Sequence, residues 1–169
     1  NLEKMSVKKF INFSTVWENY NGKKDNFYNL YSVYKKNFRN IIDYYKKFLK
    51  VQFYNLIISD TFGENDKRNK IINILKTKYK KNKSTSIISK KLFINFLNIK
   101  DIIDAIILIL KKNVTPDDYV LKNNKNVNIF EVVNKINRSA KKKLKIRWLS
   151  NKKMNEKIYN YKKLKDWKP

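Results

Sequence analysis

The chain has 169 residues, 42% of them hydrophobic and 14% aromatic, enough for one packed domain and too apolar for a disordered tail. With no His and no Cys, it excludes Ser-His-Asp and Cys-His nucleophiles, zinc fingers, disulfide frameworks and thiol redox chemistry. Its net charge of +26 raises the question of an anionic partner, while two glycines, Gly22 and Gly63, are too few for a glycine-rich phosphate loop.

The opening stretch to Val7 reads as a helix end or loop. Lys9 to Ser14 alternates apolar and polar residues, as a half-buried strand does, and stops at Ser14-Thr15. A polar loop around Gly22 follows, through Asn29. From Tyr31 the period changes: Tyr34, Phe38, Ile41, Ile42, Tyr45, Phe48 and Leu49 recur at three- and four-residue steps, which predicts one inward face of an amphipathic helix. Val51 to Ile58 is apolar enough for a strand buried on both faces. Asp60 to Asn69 is a loop around Gly63, and Lys70 to Lys78 a helix with Ile71, Ile72 and Leu75 inward. After a basic connector, Lys80 to Ser86, comes strand-like Phe93–Leu97. A helix over Asp101–Lys112, apolar nearly all round, is expected to pack on several sides.

Val114–Asp118 reads as a loop and Tyr119–Leu121 as a short strand. Asn128, with Glu131 three residues on, marks a helix start. Leu144–Trp148 alternates as an edge strand, and the tail to Pro169 is basic and weakly patterned. Strands alternating with helices predict an α/β chain with a largely parallel sheet in its first half and a smaller lobe in its second. The division is placed at residues 1–112, within which elements of the lobe intervene, and 113–169, the remainder of the lobe.

Only four of the 40 basic residues are Arg, although a nucleic-acid surface favours the planar Arg fork. Asn, Ile, Tyr and Phe abound with Lys while Ala, Gly and Pro are scarce, the signature of A/T-rich codons. The charge is therefore read as Lys on solvated faces, and nucleic acid is not expected as a partner. The longest apolar stretch, Ile102–Leu110, is broken by Asp104 and is far short of the roughly 20 residues of a membrane span. No membrane partner is expected. With no Cys, the expected compartment is the cytoplasm. A start at Asn1 and an end at Pro169 suit a piece of something longer. Asp60, Glu64 and Asp66 lack the spacing and the Gly of a calcium loop, so no metal site is expected. Trp17, Trp148 and Trp167 read as packing residues rather than sugar platforms.

The chemistry lies in Tyr31-Ser-Val-Tyr-Lys35. Residues four apart share a helix face, and an ammonium beside a phenol lowers its pKa from about 10 toward working pH. A Tyr general acid/base needs that. Thr15, with Ser14 beside it, ends the preceding strand, where a hydroxyl can orient a substrate oxygen. Five Tyr-x-x-x-Lys pairs occur, where chance supplies roughly two. Only Tyr31/Lys35 opens a strong amphipathic helix, follows a strand ending in Ser-Thr and precedes a second buried strand. A non-enzymatic basic binding protein is the competing class.

Phe10–Trp17 and Leu30–Lys35 resemble the catalytic half of extended short-chain dehydrogenases/reductases acting on nucleotide sugars, in the branch with deoxysugar synthases and epimerases. The resemblance continues through Asp60–Asp66, Lys70-Ile-Ile, Phe96–Asp101 and Trp167–Pro169. It implies a partial Rossmann-type parallel sheet with a smaller carboxyl-terminal α/β substrate lobe, and NAD or NADP as cofactor. It implies catalysis by Thr15, Tyr31 and Lys35, cofactor contacts from Ser14, Tyr31, Lys35 and Ser59, and substrate contacts from Thr15, Asp60 and Lys70. The partner implied is a nucleotide-sugar substrate, and a homodimer is possible. The chain departs from the family in carrying no glycine-rich dinucleotide half, so little activity is expected of it alone. It also has Ile94 near the place where many members hold the substrate diphosphate with Arg; Arg68 and Lys70 are the alternatives.

Overall fold

A computed structural model describes residues 6–138 and 143–169. The expected start of the chain at residues 1–5 lies outside them. In chain order the elements are β1 (Lys9–Thr15), a 3-10 segment (Val16–Gly22), α1 (Leu30–Tyr45), β2 (Gln52–Ile58), β3 (Asp60–Phe62) and α2 (Ile71–Lys80). There follow β4 (Thr85–Ile87), β5 (Leu92–Ile94), β6 (Phe96–Asn98), α3 (Ile99–Lys111), β7 (Asp118–Leu121) and β8 (Val127–Asn128). The chain closes with α4 (Ile129–Arg138), β9 (Ile146–Trp148), β10 (Met154–Asn155) and β11 (Lys162–Lys163).

The chain folds into two compact units, each gathered from separate stretches. Residues 1–59, 97–122 and 157–169 make the first, and residues 60–96 and 123–156 the second. The stretches 1–112 and 113–169 do not coincide with these units, because each unit collects residues from both.

In the first unit β1, β2, β7 and β11 form one sheet in that order, all parallel. The α/β alternation with a parallel sheet is thus present. Ser14 registers with Ile57, Thr15 with Ile58, and Ile58 with Leu121, so three strands end together. One side of the sheet packs Tyr54, Leu56, Tyr119 and Leu121 against Leu97, Ile102, Ala105 and Ile109 of β6 and α3, with Leu164 from the tail. Val16, Ile57 and Val120 form a second cluster with Trp17, Ile158 and Tyr161. The tail is therefore structural: it carries β11, and Trp167 Nε1 donates to the Asp101 carbonyl at 2.7 Å.

Helix starts follow local chemistry. Asn29 and Ser32 form a reciprocal capping box for α1, and Asn98 and Asp101 do so for α3. At α4, Asn128 Oδ1 accepts from the Phe130 N–H at 3.0 Å.

Two helix faces differ from the periodicity. On α1 the buried residues are Ser32, Arg39 and Ile42, while Tyr34, Phe38, Ile41 and Tyr45, and Phe48 just beyond the helix, are exposed. The inward face is polar because Arg39 pairs there with buried Glu18 of the 3-10 segment and with half-buried Asp118 of β7, described below. On α3 only Ile102, Ala105 and Ile109 are buried, and Ile99, Ile103, Ile107 and Leu110 are exposed, so it packs on one side. Strand β1 shows the same inversion: Asn12 and Ser14 are buried and Phe13 is 41% exposed.

The second unit has its own core of Leu75, Ile87, Phe96, Ile129, Val133 and Leu144. Ile71 and Ile72 of α2 pack against it as expected. Strand β4 pairs parallel with β9, while β5 pairs parallel with β10 and antiparallel with β8. The stretch expected as one strand over Phe93–Leu97 is two strands broken at Asn95, whose backbone N–H donates to Glu156 Oε2 at 2.7 Å.

Candidate active site

In an open parallel sheet the carboxyl ends of the strands face the crevice where ligands bind. Five sequence candidates gather at that end of the first unit. Thr15 is the last residue of β1, buried, with its Oγ1 accepting from the Trp17 N–H at 3.3 Å. Ser14 is buried beside it, and its hydroxyl donates to Glu18 Oε2 at 3.0 Å. Ser59 follows β2 directly. Its N–H donates to the Leu121 carbonyl at 3.1 Å, while its buried Oγ has no hydrogen-bond partner among the described residues.

Tyr31 lies in the first turn of α1, two residues beyond the Asn29 cap, and is 51% exposed. Lys35 sits one turn further on. Its ammonium donates to the Phe13 carbonyl of β1 at 2.7 Å and lies 5.7 Å from the centre of the Tyr31 ring. The i,i+4 spacing thus puts a cation beside the phenol, and the same cation ties the helix to the strand end that carries Ser14 and Thr15.

Asp60 and Lys70 belong to the second unit, where Lys70 Nζ donates to Asp60 Oδ1 at 2.6 Å. Each is thus the other's partner. Arg68 is engaged with Asp66 and the Thr61 hydroxyl, and that pairing holds the Asp66 carboxyl far below the ordinary range. Ile94 packs on the core of the second unit. Nearby, burial raises the pKa of Glu156, assisted by the charge of Asp60; the Asn95 N–H and Lys70 oppose the shift.

The sequence reading missed a buried polar network. Glu18 is fully buried in the 3-10 segment and forms an ion pair with Arg39 of α1. Tyr161 donates its hydroxyl to Glu18 Oε1 at 2.7 Å and accepts from Asn19 Nδ2 at 2.5 Å. Arg39 Nη2 also lies 3.4 Å from Asp118 Oδ2. Asn55 Nδ2 donates to Asp118 Oδ1 at 2.6 Å, and Asn12 Nδ2 to Asn55 Oδ1 at 3.0 Å. Burial alone would lower the Arg39 pKa, but Glu18, Asp118 and Tyr161 hold it above the ordinary value. Burial, then Glu18, drives the Tyr161 phenol well up. The available signal was Arg39 itself, one of four Arg in the chain and set amid the apolar residues of α1.

Comparison with known proteins bears on the fold. Many solved structures share the fold, three of them as follows. A UDP-glucuronic acid 4-epimerase from Bacillus cereus in complex with NAD is similar at TM-score 0.75 and 18% identity, over 90% of this chain and 53% of that one. A UDP-glucose 4-epimerase from Thermotoga maritima with UDP-glucose gives 0.75 at 15% identity, over 99% and 60%. A dTDP-glucose 4,6-dehydratase from Bacillus anthracis in complex with NAD gives 0.75 at 20% identity, over 93% and 54%. The chain thus spans between half and two thirds of their lengths. A search of curated protein sequences finds no match. Residues 2–121 match the sequence profile of the NAD dependent epimerase/dehydratase family, and the chain belongs to that family.

Proposed function

We propose that the protein carrying this chain is a nucleotide-sugar epimerase, dehydratase or ketoreductase that uses NAD or NADP, with Tyr31, Lys35 and Thr15 as its catalytic set. The observation that carries the reading is the Lys35 ammonium, seated between the Tyr31 ring and the end of β1. Ser59 supports the fit of a nicotinamide. Buried polar atoms are nearly always hydrogen-bonded, and the unmet Ser59 Oγ is a group that a cofactor at this sheet edge would satisfy. Ser14, Tyr31, Lys35 and Ser59 are the residues assigned to hold it.

The nicotinamide, when bound, supplies hydride exchange with the sugar carbon. Tyr31 Oη takes the proton from the sugar hydroxyl in oxidation and returns it in reduction. Lys35 stabilises the phenolate through its charge. Thr15 Oγ1 spends a lone pair on the Trp17 N–H and keeps its own proton to donate to the substrate oxygen. Asp60 and Lys70 are assigned to the sugar nucleotide, as an ion pair that exchanges partners on binding. The 169 residues alone are proposed to have little activity, because two glycines cannot build a dinucleotide loop.

The absence of cysteine supports a reducing, cytoplasmic setting. The exposed residues Tyr34, Phe38, Ile41 and Tyr44 of α1, with Phe48 just beyond it, support a homodimer built on that face. The function is tested by incubating the native gene product with NAD and UDP-glucose, UDP-glucuronic acid or dTDP-glucose and following the sugar by NMR. Conversion of one of them is expected. No conversion, together with tight salt-dependent binding to nucleic acid, would favour the basic binding protein instead.

A further inference from the structure

Two bridges join the end of β1 to helix α1. One is Lys35 on the Phe13 carbonyl at 2.7 Å. The other starts one residue later, from the Ser14 hydroxyl to Glu18 Oε2 at 3.0 Å, and runs on through the Glu18–Arg39 ion pair to the centre of the helix. Arg39 lies one turn beyond Lys35, as Lys35 lies one turn beyond Tyr31. Glu18 is therefore tied both to the strand residue next to Thr15 and to the helix that carries Tyr31.

The tail of the chain closes this arrangement. Tyr161 donates to the same Glu18 oxygen that faces Arg39, and its ring lies 5.7 Å from the Arg39 guanidinium. Asn19 in turn donates to the Tyr161 hydroxyl, and its Oδ1 accepts from the Asp25 N–H at 2.6 Å, fixing the loop that leads into α1. A buried carboxylate with donors on both oxygens has a single orientation open to it.

We propose that Glu18, held by Arg39 and Tyr161, is a positioning residue that sets the distance between the Thr15 hydroxyl and the Tyr31–Lys35 turn. The carboxyl-terminal segment thereby helps to build the catalytic geometry through Tyr161. This rests on the assignment of Thr15, Tyr31 and Lys35 given above.

The test compares wild type with Glu18→Gln, Tyr161→Phe and a core control in the same unit, Leu164→Val, in the native gene product. Methyl and aromatic NMR follow the Thr15 methyl and the Tyr31 ring, and steady-state turnover of whichever nucleotide sugar the wild type converts is measured alongside. Glu18→Gln is expected to shift and broaden the Thr15 and Tyr31 signals and to lower kcat by about 100-fold with little change in KM, the cost of a misplaced reacting group. Tyr161→Phe should move the same signals in the same direction by less, and Leu164→Val should leave them in place. Unmoved Thr15 and Tyr31 signals in a folded Glu18→Gln protein, or equal movement in the control, overturn the clamp. If Glu18→Gln does not fold, Tyr161→Phe decides alone. A wild type that converts no nucleotide sugar removes the catalytic assignment instead, and the NMR comparison still judges the clamp.

Discussion

Glu156 shows how one side chain turns its surroundings into a pH dependence. Its Oε2 accepts from the Asn95 N–H at 2.7 Å, yet burial and the Asp60 charge lift its pKa above the ordinary 4.5. The folded chain therefore keeps a proton at pH values where the unfolded chain has lost it. Its contribution to stability falls as pH climbs from about 4.5 through the raised folded value, and then levels off. In urea denaturation at a series of pH values, wild type should lose stability relative to Glu156→Gln across that window. A difference that grows in favour of wild type as pH rises would contradict it. The proposed set of Tyr31, Lys35 and Thr15 could be nominated from the sequence because it rests on local features: an i,i+4 pair and a strand end. Glu18 and Tyr161 could not. They are far apart in sequence, and only the folded chain joins them through a hydrogen bond.

Helix α1 was read correctly as an element and wrongly as a surface. Its start was found from the change of period at Tyr31, and in the folded chain Asn29 and Ser32 cap it reciprocally. Asn29→Ala should cost about 1 kcal/mol in chemical denaturation; a change indistinguishable from zero would mean the cap is idle. Its apolar stripe pointed to the core by the usual logic of amphipathic helices, yet the side that meets the sheet is Ser32, Arg39 and Ile42. Pattern arguments count apolar residues, and here a buried ion pair with its own partners takes the inward place. Phe38 and its neighbours are left exposed. If that face pairs two copies, Phe38→Glu should give a folded monomer by analytical ultracentrifugation, with wild type a dimer. A monomeric wild type would contradict the homodimer. The splitting of the expected strand at Phe93–Leu97 has the same origin, since Asn95 looked like an ordinary polar alternation. Its side chain bonds the Asn123 carbonyl and Asn126, both remote in sequence.

Across the whole molecule, the α/β alternation and the parallel sheet were visible from the spacing of apolar runs, but the joints between the units were not. The chain passes between units at Ser59-Asp60, Phe96-Leu97, Lys122-Asn123 and Glu156-Lys157. None of these joints contains Pro or Gly, the usual marks of a boundary. Among the described residues no helix is long and apolar enough to cross a membrane. A net charge of +26 on 169 residues strains the folded state through self-repulsion. Raising NaCl from about 0.01 M to about 1 M shortens the screening length from about 30 Å to about 3 Å, so Tm should rise. A Tm that falls with salt would mean that specific ion pairs outweigh the repulsion.

Tyr31 is proposed to carry the proton for chemistry on a nucleotide-linked sugar. Turnover of wild type and Tyr31→Phe in the native gene product, with NAD and the nucleotide sugar that wild type converts, tests it most directly. Tyr31→Phe is expected to stay folded and to lose about 10²- to 10⁴-fold in kcat, the usual contribution of a positioned acid/base. Near-normal turnover by Tyr31→Phe would contradict it.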